Sequence, residues 1–433
     1  MRRPRRGWIA ALAVIPLTLI VAMVYVANTW EGDPFTAAAP PPDHGPGSGP
    51  NPGPNPGPNP GPNPGPNPGH GQVFRLDDAE TRRLGWDPFN LDRVFGYAGG
   101  LGSDVLLIVT DGTVVAALGD LKTPRPLHSI RKTLLSALVG RHLGAGERSI
   151  DLAAKLADLG IDDVPVPLTP LQRQATVLHL LQSTSGINHA AAAEEGLVAE
   201  KKRRLGEGEN RPGTIWAYNN WDSNALTTVF EVRTGLPVAE AFETGFAAPL
   251  GLRDHTAGAV SYVAAPDLSR HRAAMFRMSA RDLARFGMLY LQRGELDGRR
   301  ILPAGWVDRI TADYSRTGMS GLRHGHGYLW WIPAPDSGLP PGTFWAWGLG
   351  QQALLVVPAW RSVIVHQADM QAFLTRFFQA VEGDGQAPEA ALETLALSCL
   401  GPRDRQTAFC RDDRLILRRE FAQLVSLIAA ARR

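Results

Sequence analysis

Residues 105–132 read VLLIVTDGTVVAALGDLKTPRPLHSIRK and contain the two local patterns on which the fold depends. Two runs rich in β-branched residues, Val105–Thr110 and Thr113–Leu118, flank Asp111-Gly112, a dipeptide typical of a tight hairpin turn. Two prolines follow, and then an apolar stripe at helical spacing predicts a helix that begins near Ser129. The stretch therefore predicts a β-hairpin that leads directly into a helix.

The rest of the chain predicts an α+β architecture. Ala353–Val357 and Ser362–His366 form a second pair of β-rich runs late in the sequence. Residues 145–315 are mainly helical in pattern, and residues 412–431 indicate a closing amphipathic helix. The helical periodicity of the middle region is carried by Leu171–Gln182, Asn224–Arg233 and Ala280–Leu291. We therefore expect one antiparallel sheet flanked by helices, together with a mainly helical lobe.

Residues 1–27 predict a membrane anchor. Four arginines precede an uncharged apolar run, Gly7–Ala27, which has the length of about 20 residues that a helix needs to span a bilayer. Acidic residues follow the run, so the positive-inside rule places the N-terminus in the cytoplasm and the following chain in the periplasm or at the cell surface. A cleaved signal peptide is the alternative, although cleavage after Ala27 would put Tyr25 in the third position before the cut, where a small residue is usual.

Residues 28–71 predict a disordered spacer. From Asn51 the sequence repeats Asn-Pro-Gly-Pro, a composition that favours an extended, polyproline-like chain and cannot bury a core. Globular patterning begins near Gln72, so we assign residues 72–433 to one folded domain. A spacer of this composition would hold that domain away from the membrane surface.

Composition excludes some classes of function. A formal net charge of +2 gives no general attraction to nucleic acid. Cys399 and Cys410 form no Cys-x-x-Cys pair, although an extracytoplasmic location would permit a disulfide between them. The sequence contains no P-loop, zinc-protease or Gly-x-Ser-x-Gly motif, so we expect no metal and no cofactor. Few of the basic residues are lysines, and lysine, unlike arginine, can lose its proton in a protein.

The first candidate catalytic pair is Ser129 and Lys132, in the sequence Ser129-Ile130-Arg131-Lys132. Residues three apart share a helix face, so the lysine amine can reach the serine hydroxyl and activate it as a nucleophile. At a helix start the backbone N–H of Ser129 can point at a substrate oxyanion, and the helix dipole favours negative charge there. The alternative is a helix-capping serine followed by a surface lysine.

Two further stretches contain groups suited to the same chemistry. Tyr218 and Asn220 lie two apart within residues 216–221, so in an extended segment their side chains would project to the same side. A tyrosine beside a lysine can relay a proton, and an asparagine amide can orient a substrate carbonyl, whereas a buried aromatic patch is the alternative. Phe344–Gln351 contains glycines that could expose a backbone N–H to an oxyanion, and a plain strand with a bulge is the alternative.

Histidine-based catalysis is the weaker hypothesis. His324 and His326 fall in a glycine-rich stretch typical of a turn. His128 adjoins Ser129, and adjacent residues on a helix do not face each other. We therefore expect these histidines to be neither metal ligands nor bases.

Taken in order, the Ser-x-x-K motif, Tyr-x-Asn and the glycine-containing third stretch resemble the serine β-lactamase and penicillin-binding protein superfamily. The resemblance covers residues 85–370 and is greatest to its class C-like serine hydrolases, in the esterase and 6-aminohexanoate-dimer hydrolase-like branch. The hairpin turn at Asp111-Gly112 belongs to it, as do Leu180–Gly186, Pro249–Leu252 and Gly327–Trp331. The resemblance implies a β-lactamase/transpeptidase-like fold and an acyl-enzyme mechanism.

The resemblance also implies a role for each candidate residue. Ser129 would be the acylated nucleophile and Lys132 its activator. Tyr218 would share proton transfer and protonate the leaving group, while Asn220 would hold the acyl side of the substrate. The backbone N–H groups of Ser129 and Leu349 would form the oxyanion hole.

One departure from the superfamily pattern bears on the substrate. Its β-lactamases and transpeptidases usually carry Lys-Thr-Gly or His-x-Gly where this chain has Ala346-Trp347-Gly348. Because no cation stands there, we expect a small ester, amide or peptide-like substrate rather than a β-lactam, with Ala346, Trp347, Gly348 and Leu349 lining the site. A cell-wall DD-peptidase or β-lactamase is one alternative, and a non-catalytic sensor or binding module is another. Residues 371–411 resemble an insertion.

Overall fold

The computed structural model describes residues 69–144, 146, 148–194, 198–303, 305–370, 373, 375 and 416–433. The predicted membrane segment (1–27), all but the end of the predicted spacer (28–71) and both cysteines lie outside these residues, so those predictions remain predictions. In the part of the chain that the structure describes, no helix is both long enough and apolar enough to cross a bilayer.

The described residues form helices and strands that alternate along the chain. The helices are α1 (Asp78–Arg83), α2 (Pro88–Gly100), α3 (Arg131–Arg141), α4 (Val177–Gln182), α5 (Val198–Leu205), α6 (Asn220–Thr234), α7 (Val238–Phe242), α8 (Ala248–Leu250), α9 (Ala280–Leu291), α10 (Trp306–Ala312) and α11 (Arg418–Ala431). The strands are β1 (Gly69–Arg75), β2 (Val105–Thr110), β3 (Thr113–Gly119), β4 (Arg125–Pro126), β5 (Val260–Ala265), β6 (Ser269–Met278), β7 (Glu295–Leu296), β8 (Arg299–Arg300), β9 (Ser315–Arg316), β10 (Gly325–Gly327), β11 (Trp330–Ile332), β12 (Phe344–Gly348), β13 (Gln352–Val357) and β14 (Ser362–Gln367).

A nine-stranded sheet with the order β1-β3-β2-β14-β13-β12-β11-β10-β9 organises the molecule. Every pairing in it is antiparallel. The predicted hairpin forms β2 and β3, and the predicted late pair forms β13 and β14. These two hairpins join in the middle of the sheet, where Val105 pairs with Gln367 and Thr110 with Ser362. The α+β architecture expected from the sequence is therefore confirmed.

The sheet is covered on both faces, and this explains its continuous apolar strands. Every residue of β2 is buried. Leu107 and Val109 belong to one core, which includes side chains of α3, α6 and α9. Leu106 and Ile108 point to the opposite face and belong to a second core with α2 and α11. Strands buried on both faces carry apolar residues at every position instead of alternating with polar ones.

The middle region is less helical than its sequence pattern predicts. Strands β5 and β6 lie within it and form a three-stranded sheet with β4. The buried positions in the first half of β6 are Ser269, His271 and Ala273, and large apolar residues appear only at its end, at Phe276 and Met278, so little of the strand shows apolar alternation. The segment Leu171–Gln182 is also divided, because Thr176 caps the start of α4 with its side chain.

Two predicted boundaries can be compared directly with the structure. The ordered fold begins before Gln72, since Gly69 already pairs with Gly119 across β1 and β3. The predicted closing helix corresponds to α11, which begins at Arg418 and buries Phe421, Leu424 and Ile428. Residues 69–71 therefore belong to the sheet rather than to the spacer.

Candidate active site

The predicted nucleophile lies in a tight turn immediately before α3. Residues 128–130 form one turn of 3₁₀ helix, and α3 follows from Arg131. The preceding residue, His128, has a positive φ of 47°. Such a conformation costs a non-glycine residue about 1–3 kcal/mol and is concentrated at functional sites. The backbone around Ser129 is therefore strained where a nucleophile would have to be presented.

Ser129, Lys132 and Tyr218 are brought together. The Lys132 Nζ lies 3.0 Å from the Ser129 Oγ and 2.8 Å from the Tyr218 hydroxyl. The same Nζ is 4.6 Å from the centroid of the Tyr218 ring. Because 86 residues separate Lys132 from Tyr218 in the chain, this contact is a product of the tertiary fold. The lysine amine therefore bridges the two hydroxyl groups.

The neighbouring cation, Arg131, points elsewhere. Its guanidinium donates a 3.2 Å hydrogen bond to the Asn224 side chain on α6. Lys132 is only 1% exposed, so its amine is in an environment of low dielectric constant. Arg131 therefore contacts α6, whereas Lys132 faces Ser129.

Asn220 begins α6 and does not continue an extended segment with Tyr218. Asn219 caps this helix by accepting a 2.7 Å hydrogen bond from the Asp222 backbone N–H. The Asn220 side chain donates to the Ala193 carbonyl. Its Oδ1 is buried and has no hydrogen-bond partner among the described residues. The side-chain N–H of Asn220 therefore already donates a hydrogen bond within the protein.

The third predicted stretch, Phe344–Gln351, forms the whole of β12 and the turn that follows it, and the end of this strand lies against the turn that carries Ser129. A Cβ added to Gly348 would lie 2.5 Å from the Leu127 carbonyl oxygen and 3.2 Å from the His128 Cβ. Only glycine permits this approach of two backbones. Leu349 follows at once, so the geometry brings its backbone close to the turn of Ser129.

Ala346 and Trp347 point to opposite faces of the sheet. Ala346 is fully buried in the core that contains Leu127 and Ile130. Trp347 is 9% exposed, belongs to the other core, and donates a 3.0 Å hydrogen bond from its indole to the Gln351 side chain. Ala346 was predicted to line the site, but its side chain packs in the core beneath the turn that carries Ser129.

Tyr218 also belongs to a buried aromatic patch, which was the alternative interpretation of residues 216–221. Trp331 stacks on the Tyr218 ring at 5.4 Å between centroids. His326 lies 5.5 Å from the Tyr218 ring and 5.7 Å from Trp216. The prediction that His326 lies in a turn is wrong, because it occupies the centre of β10 and is fully buried. The glycines beside it, which are typical of turns, are required here by close packing.

A buried carboxyl group lies two residues beyond Asn220. Asp222 accepts a hydrogen bond from the Ser185 hydroxyl and is inaccessible to solvent. Burial raises the pKa of Asp222 to about 7, against hydrogen bonds from Ser185 and Asn219 that lower it. This group belongs to the start of α6 and supports the segment that carries Tyr218 and Asn220.

The β-lactamase family model matches residues 76–369, about two thirds of the chain. The chain belongs to the β-lactamase family. Ser129, Lys132, Tyr218 and Gly348 all fall within the matched region. Homologues in this family are generally serine hydrolases, and the resemblance described from the sequence is confirmed at this level.

Individual relatives are distant. An uncharacterised protein of Alkalihalophilus pseudofirmus is 25% identical over 218 residues, which cover 46% of this chain and 61% of the relative. The matched part of this chain thus spans about three fifths of that relative's length. A protein from Bacillus anthracis assigned as a 6-aminohexanoate-dimer hydrolase has 21% identity and a TM-score of 0.47, covering 63% of this chain and 75% of its own. A penicillin-binding protein homologue from Pyrococcus abyssi has 17% identity and a TM-score of 0.48, covering 72% and 82%.

Proposed function

We propose that this protein is a serine hydrolase that cleaves an ester or amide through an acyl-enzyme. The observation that carries the proposal is the position of the Lys132 Nζ, within hydrogen-bond distance of both the Ser129 Oγ and the Tyr218 hydroxyl. A nucleophile and its base must lie within about 2.6–3.2 Å of each other for proton transfer. Both contacts fall in this range, and membership of the β-lactamase family supports the same chemistry.

In the proposed acylation step, the Ser129 Oγ forms a bond to the substrate carbonyl carbon while its proton passes to the unprotonated amine of Lys132. The backbone N–H groups of Ser129 and Leu349 stabilise the resulting oxyanion. The bond to the leaving alcohol or amine then breaks, and the proton returns to that group through the Tyr218 hydroxyl. Water subsequently attacks the acyl-enzyme, releasing a carboxylic acid and restoring the Ser129 hydroxyl.

The proposed substrate class is an ester or amide without a required anionic group. The position that carries lysine or histidine in the superfamily's β-lactamases is alanine here, so Ala346 provides no cation to bind a substrate carboxylate, and its methyl group packs in the core. Tryptophans and a tyrosine surround the candidate proton relay, and aromatic side chains favour apolar acyl or alcohol groups. We further propose that the predicted N-terminal anchor and spacer hold the hydrolase outside the cytoplasm.

Labelling of the full-length protein tests the proposal. The protein would be incubated with a fluorophosphonate probe, a short-chain nitrophenyl ester and a fluorescent penicillin, in parallel with Ser129→Ala. Ser136→Ala is the matched control, because Ser136 lies on α3 and its buried hydroxyl has no hydrogen-bond partner among the described residues. We expect probe labelling and ester turnover in the wild type and in Ser136→Ala, and neither in Ser129→Ala.

Other results would redirect the assignment. Penicillin labelling without ester turnover would support a cell-wall DD-peptidase, a β-lactamase or a sensor instead. Ester turnover that persists in Ser129→Ala would overturn the proposed nucleophile, and with it the proposed mechanism.

A further inference from the structure

His326 is held beside the candidate catalytic residues by an unusually close-packed strand. It lies at the centre of β10 and pairs with Trp331 of β11. A Cβ added to Gly325 would lie 2.4 Å from the Tyr314 ring, and one added to Gly327 would lie 2.8 Å from the Tyr314 Cβ. The sequence Gly-His-Gly therefore lets β10 press against Tyr314 on one face while His326 occupies the other.

The imidazole is in contact with the residues that surround the proton relay. Its ring centroid lies 5.5 Å from that of Tyr218, nearly perpendicular at 84°, and 4.7 Å from that of Trp331. Tyr218 in turn contacts the Lys132 amine through its hydroxyl and its ring. His326 is thus separated from Lys132 by a single aromatic side chain.

A histidine at this position is costly to bury. Both ring nitrogens are shielded from solvent and have no hydrogen-bond partner of ordinary geometry among the described residues. An unsatisfied buried polar group destabilises the folded state, whereas an apolar ring would fill the same space without that cost. Burial, followed by the charge of Lys132, lowers the pKa of His326 to about 3, and the Gln182 backbone partly offsets the shift. The imidazole is therefore neutral near neutral pH.

We infer that His326 is a positioning residue whose imidazole, packed against Tyr218 and Trp331, sets how readily the Lys132–Tyr218 pair accepts the proton of Ser129. The inference rests on the proposed function, because it assigns His326 to that same proton transfer. A dipolar ring stabilises a charge that appears nearby better than a hydrocarbon ring does. Among the described residues, the titratable groups that face His326 are Lys132 from α3 and Tyr218 from the segment before α6. A further charged group, Arg204 of α5, lies behind Trp216: its guanidinium is 4.8 Å from the Trp216 ring, which in turn contacts His326.

The pH dependence of ester turnover tests the inference through two substitutions. His326→Phe keeps a planar ring but removes both nitrogens, whereas His326→Gln keeps a polar side chain. We expect the acid limb of kcat/KM in His326→Phe to move to lower pH by about 0.5–1 unit, with a fall in kcat, because protonated Lys132 is less stabilised. In His326→Gln we expect the limb to stay within about 0.3 unit of the wild type. Thermal unfolding of each variant reports whether it is folded.

A measurement that needs no substrate separates this inference from the proposed function. The chain has only five lysines, so biosynthetic labelling with [ε-¹³C]lysine gives few NMR signals, and the Lys132 signal is identified by its loss in Lys132→Arg. We expect its titration midpoint to be lower in His326→Phe than in the wild type. If turnover depends on Ser129 but His326→Phe leaves both the Lys132 titration midpoint and the acid limb of kcat/KM unchanged, the inference is overturned and the proposed function stands. Equal shifts of the acid limb in His326→Phe and His326→Gln would also overturn the inference, because they would show that His326 acts through its packing and not through its polar ring. Absence of turnover in the wild type would overturn the proposed function, whatever the midpoints.

Discussion

Lys132 and Arg131 are adjacent basic residues and both are buried, yet only one of them has a side chain that can act as a base. Arginine keeps its proton in proteins, while a buried lysine can lose it. Burial of a lysine is not sufficient to identify a base, because Lys201 is also buried but pairs with Glu194 and donates to the His189 carbonyl. What distinguishes Lys132 is its contact with two hydroxyl groups.

Lys132→Arg should therefore abolish hydrolysis although the charge is kept. We expect kcat/KM to fall at least about a hundredfold, because the guanidinium cannot accept the Ser129 proton. Lys202→Arg, at a well-exposed lysine, is the matched control and should leave turnover unchanged. Steady-state kinetics on both variants provide the comparison. Substantial activity in Lys132→Arg would mean that deprotonation of this residue is unnecessary.

At the scale of elements, the site depends on the contact between the end of β12 and the turn before α3. That contact explains why glycine occupies position 348, since any Cβ there would collide with the Leu127 carbonyl. Neither element is near the other in sequence, and each forms from local patterns: β12 from aromatic residues, the turn from the prolines before it. Their meeting places Gly348, the residue before Leu349, against the turn that carries Ser129.

Gly348→Ala should separate these two elements. We expect ester turnover to fall at least about tenfold and the free energy of unfolding to fall by about 1–3 kcal/mol, because the added methyl group forces the backbones apart. Gly96→Ala is the control, since Gly96 lies exposed within α2 with no atom near the added Cβ, and alanine favours helix there. Kinetics and denaturant unfolding measure the two effects. Full activity in Gly348→Ala would show that the close approach is not needed for catalysis.

At the scale of the whole molecule, buried titratable groups determine how stability changes with pH. Burial lowers the pKa of His326 to about 3, and that of His271 and His366 to about 4. The unfolded chain therefore binds more protons than the folded one between pH values of about 4 and 6.5, so these histidines make stability rise with pH there. Asp222 acts in the opposite direction, because burial raises its pKa to about 7. Its contribution to the free energy of unfolding is present in acid and is lost as the pH rises through that value.

His179 also has a pKa lowered by burial, and Asp282 also has a pKa raised by burial, so four histidines oppose two carboxyl groups and predict a net rise in stability. We expect the free energy of unfolding to increase by at least about 2 kcal/mol between pH values of about 4.5 and 6.5. Asp222→Asn removes one of the opposing groups, so its curve should rise more steeply. Urea unfolding at a series of pH values measures both curves. A flat or falling wild-type curve would contradict the assignment of these histidines as buried and neutral.

The sequence alone determined the features that depend on local pattern. The Asp111-Gly112 turn, the helix after Ser129, the helix Ala280–Leu291 and the pairing of β13 with β14 all follow from periodicity and turn chemistry over short distances. Ser129 and Lys132 are three residues apart, so their contact likewise follows from helix geometry.

Only the tertiary structure decided the features that depend on residues distant in the chain. Strand β6 was missed because the inward side chains of its first half, Ser269, His271 and Ala273, are small or polar, so that apolar alternation is confined to its end. His326 was missed because glycines that serve close packing look the same in sequence as glycines that serve a turn. The junction of β2 with β14, the contact of Tyr218 with Lys132 and the approach of Gly348 to Leu127 join segments more than 80 residues apart. Periodicity and propensity act over a few residues, whereas these contacts arise from burial of both sheet faces at once.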